Sequence, residues 1–252
     1  MSNHILIQAR MASGRMPGKP LATDTGQPLI EQVSRRAVAS DAEQVVIATD
    51  SLEIQQAVSA FGGTAVMTSE SHTSGSDRIA ETADLLGWSD EQLIVNLQGD
   101  EPLMPPQCLN QVAGLLQRET AADVASLYWP ISDHEQARDP NVVKVVTGRD
   151  GCALYFSRSE IPHARDPATI HAAARGQHAW KRHTGLYAYR AGALRAYTAM
   201  APSPLEAAEK LEQLRFLESG HRIAMAQACE FIPEGVDTPE DLERTRKLLA
   251  AG

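Results

Sequence analysis

The sequence predicts an α/β fold in which a parallel sheet is covered by helices on both faces. In the first half of the chain, short apolar runs rich in Val and Ile alternate with stretches of helical length. Parallel strands buried on both faces have this composition, and each needs a long crossover to reach the next. In the second half, strand-length runs follow one another with turns between some of them, which predicts mixed or antiparallel additions to the sheet.

The first half supplies four strands and three helices. The predicted strands cover Ile5–Ile7, Val45–Ala48, Ala65–Met67 and Leu93–Asn96. The predicted helices cover Leu29–Ala39, Leu52–Phe61 and Ser76–Leu86. In such a sheet the ligand crevice lies at the carboxyl ends of the strands, where the strand order reverses. Three polar features occupy such ends: the loop after the first strand, Thr49-Asp50 and Gln98-Gly99-Asp100.

The second half is predicted to contain four more strands, at Ala125–Pro130, Val142–Thr147, Ala153–Phe156 and Thr184–Tyr189. A long helix is predicted over Leu205–Ser219, and a final helix begins at Asp237-Thr238-Pro239, with proline favourable in the first turn. The segment 157–182 has no clear period and is either a mobile loop or an extension toward a partner subunit. Because no repeat or low-complexity linker interrupts the chain, we predict one domain over residues 1–252.

Composition excludes several classes of protein. The 252 residues carry a net charge of −9, which argues against a general nucleic-acid or anionic-membrane surface. No apolar run approaches the ~18 residues of a membrane helix, and no leader pattern is visible, so we expect a soluble, cytoplasmic protein. The cysteines (Cys108, Cys152 and Cys229) form no metal or redox pattern and are expected to be buried free thiols.

The loop Ile7–Leu21 concentrates positive charge in an otherwise acidic chain. Arg10, Arg15 and Lys19 are separated by small residues, which lets backbone N–H groups and cations approach a polyanion closely. The glycine spacing fits neither a Walker A loop nor a dinucleotide fingerprint. The loop is therefore interpreted as a different phosphate cradle with a triphosphate as its ligand, the alternative being a surface loop with solvated cations.

Two aspartates are candidates for binding a metal ion. Asp100 follows a predicted strand in the sequence NLQGDEP, where carboxylates at the sheet edge suit Mg²⁺, a cation that usually takes one or two carboxylates plus phosphate oxygens. The alternative is a turn in which this residue caps the following helix. Asp237 lies in GVDTPEDL, where an ordinary helix start is the alternative.

The remaining candidates are weaker when taken singly. The small polar segment HTSGSDR, residues 72–78, is suited to contact a base or a phosphate. Six polar residues of the second half are not connected by spacing alone: Arg158, His183, Tyr187, Glu212, Gln213 and Arg215.

Taken together, the motifs resemble the 3-deoxy-D-manno-octulosonate (KDO) cytidylyltransferases, the CMP-KDO synthetase family. The resemblance runs nearly end to end and includes ARMASGRMPGKPL, VVIATD, HTSGSDRIAE, IVNLQGDEPLMP, DPNVVKVV, ALYFSRSEIP, RHTGLYAYRAGAL, SPLEAAEKLEQLR and GVDTPEDLE. It implies a nucleotide-diphospho-sugar transferase fold, which is a Rossmann-like three-layer sandwich with a mostly parallel mixed sheet. It also implies transfer of CMP from CTP to the anomeric hydroxyl of KDO, with release of pyrophosphate, in lipopolysaccharide biosynthesis.

The resemblance assigns roles to the candidates. It implies catalytic roles for Arg10, Arg15, Lys19, Asp100 and Asp237, the last two as ligands of Mg²⁺. The implied CTP-binding set is Arg10, Ser13, Arg15, Lys19, Ser74, Gly75, Arg78, Gln98 and Asp100. The implied sugar-binding set is Gln98, Arg158, His183, Tyr187, Glu212 and Gln213.

The same resemblance implies a homodimer, with a sugar-binding and dimerisation extension around residues 157–200. The chain departs from the usual loop pattern at Gln8, Gly14 and Met16. Two alternatives remain open: cytidylyl transfer to another acid, such as 8-amino-KDO, a nonulosonate or a phosphonate, and a nucleotide-binding module without catalysis.

Overall fold

The computed structural model describes residues 3–11, 16–24, 26–72, 74–165 and 180–251. Within these residues nine strands form one sheet. The strands are β1 (Asn3–Ala9), β2 (Gln44–Thr49), β3 (Ala65–Met67), β4 (Leu93–Gln98), β5 (Val124–Pro130), β6 (Lys144–Thr147), β7 (Ala153–Ser157), β8 (Lys181–Arg190) and β9 (Ile223–Gln227).

The described helices include five in the first part of the chain: α1 (Leu29–Val38), α2 (Leu52–Ala60), α3 (Gly75–Leu85), α4 (Pro106–Arg118) and α5 (His134–Arg138). Four more follow β8: α6 (Ala191–Ala199), α7 (Pro204–Glu209), α8 (Gln213–Glu218) and α9 (Pro239–Ala251). None of the helices in the described ranges is long and apolar enough to cross a membrane.

The sheet is mixed, with the order β3-β2-β1-β4-β8-β5-β9. Strands β3, β2, β1 and β4 pair in parallel, β8 is antiparallel to both β4 and β5, and β9 is parallel to β5. Along this order, within the described residues, β8 therefore runs against all the others. The hairpin β6–β7 joins the start of β8 through Lys144 and Arg182. The predicted α/β fold with a mostly parallel mixed sheet is confirmed.

Alternating side chains of the strands feed two cores, one on each face of the sheet. In β1, Ile5 and Ile7 belong to the core that also contains residues of α1, α2 and α4. Leu6 points to the opposite face and belongs to the core with residues of α3 and α6. All three residues are fully buried. This period of two produces the helix–sheet–helix layers.

The predicted helix Leu205–Ser219 is wrong as one continuous element. A capping box between Ser203 and Glu206 begins α7, which ends at Lys210 in the left-handed conformation, with φ 55°. Helix α8 then begins at Gln213 as a separate element, and Arg215 donates back to Glu206 at 2.6 Å. The apolar periodicity continues across the break, so it could not reveal the turn.

Part of the predicted extension around 157–200 lies inside the sheet. Residues 181–190 form β8, which pairs with β4 and β5, and α6 packs beside α3. The loop prediction for 157–182 falls mostly on residues 166–179, which lie outside the described residues.

The burial of the three cysteine side chains agrees only partly with the expectation from the sequence. Cys108 is buried on α4, but Cys229 is exposed, and their sulfur atoms are 3.8 Å apart. Cys152 is half-buried. The expectation of buried thiols is therefore right for Cys108 and wrong for Cys229.

Candidate active site

A cavity of about 610 Å³ opens at the carboxyl ends of β1 and β4. The chain leaves β1 for β2 on one side and later returns as β4 on the other, so a crevice forms where the order reverses. Twelve of the predicted site residues line it: Arg10, Lys19, Ser74, Gly75, Arg78, Gln98, Asp100, His183, Tyr187, Glu212, Gln213 and Asp237. Ser13 and Arg15 lie outside the described residues.

One end of the cavity, here called the charged end, contains Arg10, Lys19, Asp100 and Asp237. The buried ammonium of Lys19 donates to Asp100 Oδ2 at 2.7 Å and lies 3.4 Å from Asp237 Oδ1. It also donates to the carbonyl of Val236 at 2.7 Å. The two carboxylates therefore converge on one point, from segments far apart in the sequence.

The local backbone explains this convergence. Gly18 adopts a left-handed conformation, with φ 74°, and its N–H donates to Met11 O, which closes the loop and places Lys19 at the start of a short 3₁₀ turn. On the other side, Val236 N–H donates to Asp100 O at 2.8 Å. This main-chain bond brings Asp237 beside Asp100.

The donor set at the charged end is suited to a hard divalent cation. The side chains of Asp100 and Asp237 are 30% and 46% exposed, so both can present oxygen atoms to the cavity. Within the described part of the chain, no group of three or more His, Cys, Asp or Glu side chains is placed to hold a metal ion. A pair of carboxylates fits Mg²⁺, which completes its coordination with water and phosphate oxygens.

Of the two carboxylates in the Gly-Asp-Glu turn, only that of Asp100 lines the cavity. Burial and the neighbouring charge of Asp100 raise the pKa of Glu101 to about 8, and its Oε2 atom has no hydrogen-bond partner among the described residues. Gly99 allows the ends of β1 and β4 to touch, because a Cβ there would lie 2.3 Å from the carbonyl oxygen of Gln8. The glycine is therefore required by close approach of two backbones.

The predicted base-binding segment begins α3. Ser74 caps the helix by accepting a hydrogen bond from the N–H of Asp77 at 3.1 Å. A Cβ at Gly75 would lie 2.1 Å from the side-chain oxygen of Gln8, whose amide donates to Asn96 Oδ1 at 2.8 Å. The segment thus packs directly on the end of β1.

Arg78 is buried and already bonded within the protein. Its guanidinium donates to Thr68 and to Asp50, the latter at 2.5 Å. It therefore fixes α3 against the ends of β2 and β3 while lining the cavity. A direct contact with a nucleoside stays a prediction.

The other end of the cavity, here called the β8 end, contains His183, Tyr187, Glu212 and Gln213. Burial and the nearby charge of Arg182 lower the pKa of His183 to about 3. Burial raises the pKa of Tyr187 well above its ordinary value, and burial likewise raises the pKa of Glu212, although Ser76 donates to this carboxylate at 2.8 Å. The imidazole and the phenol are therefore neutral at physiological pH.

Arg158, a predicted sugar contact, does not line this cavity. Its guanidinium donates to the carbonyl oxygens of Glu209 at 2.8 Å and Pro140 at 3.0 Å. Its own carbonyl accepts from the buried ammonium of Lys144 at 2.6 Å. The structure gives Arg158 a place in holding loops together, because Nε and Nη1 of its guanidinium donate to main-chain carbonyls.

The sequence comparison identifies the family. The profile of the family described as Cytidylyltransferase matches residues 4–223. This chain belongs to the cytidylyltransferase family.

Individual relatives of this cytidylyltransferase match over the full length. A 3-deoxy-manno-octulosonate cytidylyltransferase of Thioalkalivibrio sulfidiphilus is 51% identical over 253 residues, with all of both chains covered. One from Polynucleobacter necessarius is 50% identical and covers 98% of this chain and 95% of its own. The solved structure of CMP:2-keto-3-deoxy-manno-octonic acid synthetase complexed with CTP has a TM-score of 0.90 at 38% identity, covering 100% of this chain and 99% of its own. The resemblance predicted from the motifs is confirmed.

The cytidylyltransferase cavity also contains residues that the sequence analysis did not assign to it. Asn96 is a buried polar residue inside the apolar strand β4, and Gln8 bonds to it. Lys210 lines the cavity from the turn between α7 and α8. An amide within an apolar strand was a usable signal for Asn96, whereas the turn at Lys210 had none.

Proposed function

We propose that this cytidylyltransferase transfers CMP from CTP to the anomeric hydroxyl of KDO, giving CMP-KDO and pyrophosphate. The observation that carries the proposal is one cavity joining a charged end to a wall of hydrogen-bonding groups, among them the neutral side chains of His183 and Tyr187. Binding a triphosphate requires the charged groups, and binding a polyhydroxy acid requires hydrogen-bonding groups that contact its hydroxyls. The full-length relatives named for this reaction support the same substrates.

In the proposed reaction the anomeric oxygen attacks the α-phosphorus of CTP, and the bond to the bridging oxygen of pyrophosphate breaks. Lys19 and Arg10, which both line the cavity, are proposed to neutralise charge that develops on the leaving group. Arg15 is proposed to join them, with Ser13 contacting the phosphates. Such chemistry depends mainly on positioning and charge neutralisation, so a dedicated protein base is unnecessary.

Mg²⁺ is the proposed metal ion, and Asp100 and Asp237 would hold it. When bound, it would supply positive charge to the phosphate oxygens. Lys19 keeps the two carboxylates together at the charged end by bonding to Asp100 and to the carbonyl beside Asp237. Their convergence on one cation supports this assignment.

For the nucleoside we propose Ser74, Gly75 and Arg78, on the segment that packs against Gln8. For the sugar we propose His183, Tyr187, Glu212 and Gln213, and we propose Gln98 as a contact of both substrates. Arg158 is not proposed as a contact, because it does not line the cavity.

The decisive experiment is a pyrophosphate-release assay with CTP or UTP against a panel of acids. We expect CTP with KDO to be turned over fastest and the product mass to equal that of CMP-KDO. If pyrophosphate is released with 8-amino-KDO, a nonulosonate or a phosphonate acid but not with KDO, then that other acid is the acceptor and KDO is not. If the protein binds CTP but turns over no acid, it is a non-catalytic nucleotide-binding module. The presence of both Asp100 and Asp237, the proposed metal ligands, argues against this alternative.

The oligomeric state and the cellular location of the enzyme follow from the same family resemblance and are proposed with it. We propose a homodimer that acts in the cytoplasm for lipopolysaccharide synthesis, as one domain whose region around 157–200 serves sugar binding and dimerisation. Sedimentation velocity of the purified chain tests the dimer directly. A monomer at assay concentration would contradict it.

A further inference from the structure

Ser126 lies behind the β8 end of the cavity. It is fully buried in β5, beside the irregularity where the register of β5 against β8 shifts. Its hydroxyl oxygen is 2.7 Å from the carbonyl oxygen of Leu186 and 2.9 Å from Nε2 of His183. Two polar atoms of β8 thus meet the hydroxyl of Ser126 on β5.

Counting protons settles the direction of both bonds. A carbonyl oxygen has no proton, so the 2.7 Å contact to Leu186 requires the single proton of the Ser126 hydroxyl. That proton is then used, and the hydroxyl oxygen can only accept from His183. The proton on the imidazole must therefore be at Nε2.

This tautomer leaves Nδ1 of His183 with a lone pair. His183 lines the cavity, and within the described residues no protein group hydrogen-bonds to Nδ1. Aromatic rings hold the imidazole in place, since Phe156 and Tyr187 have centroids 5.0 and 5.1 Å from it. The low pKa of His183 keeps the ring neutral, so this pattern does not change with physiological pH.

We infer that Ser126 is a positioning residue that fixes His183 as the Nε2–H tautomer, so that Nδ1 accepts a hydrogen bond from a hydroxyl of the acceptor sugar. The inference rests on the proposed function for the identity of the sugar, but not for the tautomer. It explains why a hydroxyl group is placed behind the imidazole. It also makes the contact selective, because a lone pair accepts from a hydroxyl and repels a carboxylate oxygen.

Nuclear magnetic resonance tests the tautomer without any substrate. Long-range ¹H–¹⁵N correlation of the ¹⁵N-histidine-labelled protein distinguishes Nε2–H from Nδ1–H, and a His183→Gln sample assigns the resonance. We expect Nε2–H in the unchanged protein and a shift of population toward Nδ1–H in Ser126→Ala. An Nδ1–H imidazole in the unchanged protein overturns the inference, whether or not the enzyme accepts KDO.

Kinetics test the consequence for the acceptor. Ser126→Ala is expected to raise the KM for KDO about three- to tenfold, the range for losing one neutral hydrogen bond, and to leave the KM for CTP unchanged. Ser126→Thr keeps the hydroxyl and should restore both the tautomer and the KM. Thr184→Val is the matched control, because it removes another hydroxyl-to-carbonyl bond from β8 to β5, at 3.0 Å, and that hydroxyl bonds to Leu127 rather than to the imidazole of His183. An unchanged acceptor KM in Ser126→Ala, or an equal rise in Thr184→Val, overturns the inference.

Discussion

The two ends of the cavity differ in how their polar groups are held. At the charged end, Lys19, Asp100 and Asp237 hold one another by ion pairs, and the carboxylates are partly exposed. At the β8 end, His183 and Tyr187 are held by aromatic contacts and are kept neutral by burial. The first arrangement stabilises charge, and the second presents fixed donors and acceptors.

This difference follows from the chemistry of the two ligands. Ion pairs can exchange partners when a polyanion or a cation arrives, because the carboxylates are accessible to solvent. Hydroxyl groups are discriminated by buried, oriented neutral groups, since an unpaired partner in such a place costs free energy. Substitutions at the charged end should therefore lower kcat, and substitutions at the β8 end should raise the KM for the acceptor.

The largest effect is expected at the charged end. Asp100→Asn and Asp237→Asn each remove a negative charge that Lys19 contacts, and we expect kcat to fall by about 10²-fold or more at saturating Mg²⁺. Asp150→Asn is the control, because Asp150 lies on the β6–β7 turn and is paired with Arg222 at 2.8 Å. Circular dichroism should show an intact fold in all three. Near-full turnover in either variant would contradict the metal assignment.

The second-largest effect should differ between Gly99 and Gly75, which both lie against Gln8. In Gly99→Ala the new Cβ meets the main-chain oxygen of Gln8 at 2.3 Å, which cannot move alone, so we expect a loss of about 1–3 kcal/mol in the free energy of unfolding. In Gly75→Ala the new Cβ meets the end of the Gln8 side chain, which can rotate away.

Urea denaturation and the KM for CTP measure both variants. Gly75→Ala should cost little stability and raise mainly the KM for CTP. Adding Gln8→Ala should restore the KM for CTP in Gly75→Ala. It should not restore the free energy of unfolding in Gly99→Ala, because the main-chain oxygen of residue 8 remains. Relief of both variants, or of neither, would show that the contacts with Gln8 are not what distinguishes the two positions.

The charged end was predictable because its residues follow strand ends in short motifs. Arg10 directly follows β1 and Asp100 lies two residues after β4, and the sheet pairs those two strands side by side, whereas Lys19 is placed by the loop that Gly18 closes. Asp237 needed the resemblance, because its place depends on a main-chain bond from Val236 to Asp100. The fold class and eight of the nine strands in the described residues followed from the apolar runs, whereas β9 (Ile223–Gln227), which pairs with β5, was not predicted.

The β8 end was harder to predict because its geometry depends on distant partners. The neutral state of His183 comes from burial, and its tautomer comes from Ser126 on another strand. Arg158 carries a charge suited to an acid, yet it does not line the cavity and two of its donors bond to main-chain oxygens. The turn at Lys210 interrupts a helix whose apolar pattern does not change.

A smaller effect on the KM for KDO is expected for His183→Ala, and Arg158→Ala is the variant to compare with it. The first should raise the KM for KDO about tenfold and leave the KM for CTP unchanged, because His183 lines the β8 end. The second should leave both KM values unchanged and lower the free energy of unfolding by about 1–2 kcal/mol, because two carbonyl groups lose a donor. A raised acceptor KM in Arg158→Ala without loss of stability would return Arg158 to the sugar site.

The smallest effect at assay pH comes from the titration of His183. Its pKa is about 3 when folded and about 6.5 when unfolded, so between these values the unfolded chain binds more protons and the free energy of unfolding rises with pH. One histidine contributes at most about 1.4 kcal/mol per pH unit, and nothing above pH 7. Urea denaturation at pH 5 and pH 7 should therefore show a smaller difference for His183→Gln than for the unchanged protein. The exposed His163 provides the control substitution, His163→Gln. An equal pH dependence in all three proteins would mean that folding does not lower the pKa of His183, and burial would then not be what keeps the β8 end neutral.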